Sequence, residues 1–124
     1  MKMARIEAAT RVALEFVAAF NRRDEAGILR LFAEEAVFED GCPAPEGAVH
    51  RGKATIAAFW QGFWATWPHT HMEVEEVMGW GLHSVVRWRR RLQDGAGREE
   101  HRRGVDLFKV QNGLISEHRT YGKW

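Results

Sequence analysis

The stretch Phe59-Trp60-Gln61-Gly62-Phe63-Trp64-Ala65-Thr66-Trp67-Pro68-His69-Thr70-His71-Met72 changes its period at Pro68. Upstream, Ile56, Phe59, Trp60, Phe63, Trp64 and Trp67 recur at helical spacing, the wide aromatic face of a helix beginning after Gly52. Proline has no N–H to donate and its ring clashes with the preceding turn, so Pro68 ends that helix. Beyond it the apolar pattern has period two. Strands are expected at about His69–Met78, Leu82–Gln93, Arg98–Val110 and Leu114–Tyr121. Asp94-Gly95 and Asn112-Gly113 separate three of these runs and favour tight hairpins.

Working back towards the N-terminus, Ile6, Ala9, Ala13, Phe16, Val17 and Phe20 form the stripe of a first amphipathic helix. Asp24 suits the cap of a second, expected to run through Ile28, Leu31 and Phe32 to about Glu35. Ala36–Asp40 then has strand character, and residues 41–47 form a turn-rich loop. Helices first and an antiparallel meander afterwards make one α+β domain over residues 1–124. Three helices covering one face of a curved sheet would enclose an apolar cone, a common form of ligand pocket.

Composition narrows the function. Six Trp and seven Phe against one Tyr are too many rings for the surface, so they must line a core, pocket or interface. A net charge of +1 gives no global field for nucleic acid or an anionic membrane. The single cysteine, Cys42, excludes an internal disulfide, and the amphipathic N-terminus does not resemble a signal peptide. A cytoplasmic protein is expected, with no metal or organic cofactor.

Two acids stand out. Asp40 ends the run Ala36-Val37-Phe38-Glu39-Asp40, and Asp106 interrupts Val105-Asp106-Leu107-Phe108. If the pocket performs proton transfer, burial should make Asp106 titrate high while Asp40 stays near normal; otherwise Asp106 is a buried structural partner in an ion pair across the hairpin, the default for such a group. Asp40 could equally close an Asx-turn before Gly41 and Cys42. A two-residue turn at Asn112-Gly113 would set Asp106 opposite Arg119; a three-residue turn would set it opposite His118. In the run Arg87-Trp88-Arg89-Arg90-Arg91, alternation sends Arg87, Arg89 and Arg91 to a face where Glu73 and Glu75 can screen them. Arg90 instead shares a face with Val86, Trp88 and Leu92, and an inward guanidinium would favour a ligand with a carboxylate or enolate. His69 and His71 have a metal-like spacing without a third ligand.

Residues 24–40, Gly52-Lys53-Ala54-Thr55-Ile56-Ala57-Ala58-Phe59-Trp60, and Gly104-Val105-Asp106-Leu107-Phe108-Lys109-Val110 with Asn112-Gly113-Leu114-Ile115 carry a resemblance. In order and spacing they resemble successive segments of nuclear transport factor 2-like (NTF2-like) proteins, nearest the ketosteroid isomerases and SnoaL-like polyketide cyclases. The resemblance implies a cone-shaped roll, a homodimer formed through the outer sheet face, and a small hydrophobic ligand. It places Asp40 at the proton-shuttling base and Asp106 at the neutral acid of the oxyanion hole. It also turns His118 inward beside Asp106. Phe16 and Trp60 occupy positions where the isomerases carry Tyr, so the phenolic donors are missing.

Two functions follow. In one, Asp40 moves a proton on a small apolar carbonyl compound, Asp106 and His118 handle charge, and Phe16, Phe38, Trp60, Trp88 and Arg90 surround the ligand. In the other, the same fold is a non-catalytic binding or dimerisation module. Epoxide hydrolysis is a third and weaker reading, because Thr120 lies where those relatives carry a final-strand Asp.

Overall fold

The computed structural model describes residues 2–42 and 46–123, with side chains from residue 8 onward. Its order is α1 (Lys2–Asn21), α2 (Glu25–Arg30), β1 (Phe32–Asp40), β2 (Ala48–Arg51), α3 (Lys53–Thr66), β3 (His69–Trp80), β4 (His83–Gln93), β5 (Glu99–Gln111) and β6 (Leu114–Lys123). The strands form one curved sheet in the order β2-β1-β6-β5-β4-β3. β3 to β6 are the expected antiparallel meander, but β1 runs parallel to β6, so the sheet is mixed.

The second helix is shorter than expected. Asp24 caps it by accepting from Gly27 N–H at 2.8 Å, yet it ends at Arg30, and Phe32 already pairs with Ile115. The Ile115 N–H donates to Leu31 C=O at 2.7 Å, so a distant strand captures a segment whose local pattern was helical. β2 was not expected. It is a four-residue edge strand after the 41–47 loop, and residues 43–45 of that loop lie outside the described residues.

At the last hairpin Asn112 and Gly113 have φ of 54° and 77°, which fits a two-residue turn with both central residues left-handed. Gln111 therefore pairs with Leu114, and Val110 with Ile115. Beyond that Lys109 pairs with Glu117, leaving Ser116 as an extra residue in a β-bulge. The bulge shifts the register, so Asp106 faces Thr120 rather than Arg119 or His118. His118 still turns inward, opposite Phe108.

α1 lies across the concave face with Ala9, Ala13, Phe16, Val17 and Phe20 buried; the Ile6 side chain lies outside the described residues. Two polar contacts fix it to the sheet. Ser84 Oγ donates to Ala9 C=O at 3.0 Å. Asn21 exchanges two hydrogen bonds with the Met72 backbone, at 2.9 and 2.7 Å. The aromatic face of α3 divides: Trp60, Trp64 and Trp67 are buried, whereas Phe59 and Phe63 are only partly covered.

Candidate functional site

Where β1 and α3 meet the inner face of β4, β5 and β6, a cleft of about 470 Å³ opens. That lies within the usual range of small-molecule pockets, about 300–1,000 Å³. Phe38 and Asp40 from β1, Phe59, Trp60, Phe63 and Trp67 from or beside α3, and Arg90, Arg102 and Thr120 from the sheet line it. Its walls are largely aromatic, and Asp40, Arg90, Arg102 and Thr120 bring polar groups to it.

Beneath this floor lies a buried polar cluster. Asp106, 1% exposed, accepts from Thr120 Oγ1 at 2.9 Å and from Arg90 Nη2 at 3.2 Å. His118 Nε2 sits 3.2 Å from the same carboxylate, an electrostatic contact rather than an aligned hydrogen bond. Arg90 reaches Asp106 by running back along the sheet with its guanidinium 4.0 Å above the Trp88 ring. Gly104, opposite Trp88, leaves the space. A Cβ there would come within 2.8 Å of Trp88 Cζ2 and 2.4 Å of Tyr121 C=O.

These contacts go against the ionisation expected for proton transfer and with the ion-pair alternative. Burial pushes Asp106 up, but the charges of Arg90 and His118, with the hydrogen bond from Thr120, outweigh it and hold the acid below its usual range. Asp106 is thus an ionised, paired carboxylate and not a neutral acid. Asp40 is the raised one. Burial lifts it, and the N–H groups of Gly41 and Cys42 together with His50 and Arg90 oppose that without cancelling it. The Cys42 N–H, two residues on, makes the Asx-type bond expected of this turn, so turn geometry and cleft exposure coexist in one residue.

The cleft thus brings together Asp40, Phe38, Trp60 and Arg90. It excludes Phe16 and Trp88, both expected there: each is fully buried, because α1 packs close enough to seal that end of the cone. His118 is sealed as well. Phe38 and Phe108 stack on its two sides with centroids at 4.6 and 4.5 Å, and the edge-on Phe16 ring is 4.9 Å away. Asp106 and His118 therefore support the cleft from below instead of lining it.

Sequence reasoning missed several contributors. Thr120 was considered only as a missing acid, though it bonds Asp106. Arg102 lines the cleft, stands opposite Arg90 and holds its guanidinium 5.5 Å from the Trp67 ring. Period-two alternation in β5 puts Arg102 on the face of Asp106, which was the available signal. His50 stacks on Phe38 at 5.6 Å, and no sequence pattern pointed to it because β2 itself was unread.

The remaining features fall on the surface. His69 and His71 are exposed, and the described residues hold no group of three potential metal ligands. On the outer face Glu75 contacts Arg87, Arg89 and Arg103 at 3.2, 2.8 and 3.5 Å. Arg91 pairs instead with Glu99 at 3.7 Å, and Glu73 makes none of these contacts, because a bulge between Val74 and Glu76 re-aims the strand. No described helix is long and apolar enough to cross a membrane.

Comparison with known proteins places this geometry. Curated proteins give no match. Among solved structures, an NTF2-like protein of unknown function from Mesorhizobium loti is 35% identical with a TM-score of 0.79, covering 97% of this chain and 94% of that one. An LEH-like epoxide hydrolase from M. tuberculosis superposes with a TM-score of 0.82 at 16% identity, over 95% and 84% of the two chains. A protein with a ketosteroid isomerase-like fold from Catenulispora acidiphila, in complex with trimethylamine, gives 0.79 at 17% identity, over 89% and 83%. At such identities the last two show a shared fold alone. The family model of the SnoaL-like domain matches residues 13–118, nearly the whole chain, and the protein therefore belongs to the SnoaL-like domain family.

Proposed function

We propose that the cleft binds a small, largely apolar carbonyl compound and that Asp40 moves a proton on it, as in an isomerase or cyclase. One observation carries this reading. A carboxylate held above its usual range and a buried guanidinium, Asp40 and Arg90, share one aromatic-walled cleft. A raised carboxylate is a stronger base towards a carbon acid than an ordinary one. The Arg90 charge would stabilise the enolate oxygen that proton removal creates. Asp106 would hold Arg90 in place, with Thr120 and His118 beside it, and neither Asp106 nor His118 would touch the substrate. No cofactor is required for such a step.

The test begins with native mass spectrometry of the purified protein, which reports retained ligand and subunit count together. Solvent-deuterium incorporation into a bound ketone then follows. Asp40→Asn should slow it by about 10²- to 10⁴-fold with little change in affinity. Equal exchange in parent and variant removes Asp40 from the mechanism.

The second reading, a binding module without catalysis, has its own support. Phe16 offers no donor, and Asp106 is committed to its ion pair. Retained ligand without exchange would select it. For assembly, we infer a homodimer through the outer sheet face. Met78, Val85, Leu107, Val105 and Tyr121 lie on successive outer positions there and remain at least partly exposed. Sedimentation showing only monomer at micromolar concentration would contradict that.

A further inference from the structure

We infer that the ligand of this cleft carries a carboxylate, or an equivalent planar oxyanion, seated between Arg90 and Arg102 while its apolar body lies against Trp67, Phe59 and Phe63. The inference rests on the cleft being a small-molecule site and adds the charge of its occupant.

Arg90 and Arg102 are direct cross-strand partners on the inner face of β4 and β5. Like charges directly opposite one another destabilise a sheet, and these two also line an apolar cleft where water screens them poorly. Arg102 accordingly pushes Arg90 down, adding to burial. Each has a carboxylate partner of its own. Asp106 takes Arg90 from below through Nη2, and the buried Nε has no hydrogen-bond partner among the described residues. Glu100 takes Arg102 from its own strand, with both bonds, 3.2 and 3.0 Å, landing on one oxygen. A planar anion placed between the guanidiniums would relieve their repulsion and use the forked geometry that arginine offers carboxylates. Trp67, within 5.5 Å of the Arg102 guanidinium, continues the surface with a flat apolar wall. Asp40 lines the same cleft, near enough for its charge and that of Arg90 to act on each other, so the carbon it deprotonates lies towards the anionic end of the ligand. The ligand class is therefore a cyclic or aromatic keto acid.

The experiment is a titration of intrinsic tryptophan fluorescence with 2-naphthoate and with 2-acetonaphthone, a neutral ketone of nearly the same shape. The expected result is naphthoate binding at least about tenfold more tightly, as a charge-assisted contact should give. That preference should shrink with added salt. Arg102→Gln should weaken naphthoate by about tenfold and leave acetonaphthone unchanged. Because Arg90→Met would strand Asp106, Arg90→Lys serves as the second variant and should also reduce the preference. Equal affinity for the two probes, an undiminished preference in Arg102→Gln, or no binding of either compound would overturn the inference. Asp40-dependent exchange of acetonaphthone without naphthoate preference sinks this inference and spares the catalytic reading. Naphthoate preference without exchange does the reverse.

Discussion

Replacing Asp106 with Asn removes one charge and almost no volume, so it isolates what the ionised carboxylate contributes. The side chain is 1% exposed, and its partner Arg90, 3.2 Å away, is 8% exposed. The amide oxygen can still accept from Thr120, so the loss falls on the charge. Stranding one member of a buried pair costs about 3–5 kcal/mol, which for a domain of this size lowers Tm by roughly 10–20 °C. Urea and thermal denaturation at pH 7 measure it. Because the folded-state pKa of Asp106 lies below its unfolded value, its contribution is complete above the unfolded pKa and is lost as pH falls through the folded one. The gap between parent and Asp106→Asn should therefore close in acid. Arg90→Met combined with Asp106→Leu should recover much of the loss, since apolar replacement of a buried pair is often neutral. A single Asp106→Asn change within about 1 kcal/mol of the parent at pH 7 would refute the ion-pair account and restore the neutral acid.

Three further outcomes are expected. Asp40→Asn should raise Tm slightly at neutral pH, by about 1–3 °C. The folded pKa of Asp40 is raised, so its favourable contribution is present only below the unfolded value and is lost as pH rises through the folded one; calorimetry across pH checks the sign. Gly104→Ala should cost about 1–3 kcal/mol in urea denaturation, because its Cβ would press on the Tyr121 carbonyl, which is backbone and cannot swing aside. If turnover is found, kcat/KM should rise with pH as Asp40 ionises, with its midpoint above the ordinary Asp value.

How much was legible varied with how local each cause was. Pro68, Asn112-Gly113 and the period-two runs act over a few residues, and the meander follows from them. The inward facing of Asp106 was also readable, since alternation places it with Phe108 and Val110. What escaped depends on partners far along the chain. Leu31 and Phe32 leave the helix because Ile115 captures them, and the Ser116 bulge, which moves Asp106 from Arg119 to Thr120, has no signature in the turn dipeptide. The partner of Asp106 was unreadable for the same reason, which left neutral acid and ion pair both open. Arg90 and Asp106 are not register partners, and the guanidinium reaches back to the carboxylate over the Trp88 ring. Burial suggested a neutral acid and the hairpin an ion pair with Arg119 or His118; the guanidinium partner is Arg90, from the strand on the other side.

The central claim is that Asp40, not Asp106, is the carboxyl group poised to exchange a proton. Titrating both side-chain carboxyl carbons by ¹³C NMR in the intact protein tests it without knowledge of the substrate. The account predicts Asp40 titrating above the ordinary aspartate range and Asp106 below it, with the Asp106 signal disturbed in Arg90→Lys. The opposite order, Asp106 high and Asp40 ordinary, would contradict it.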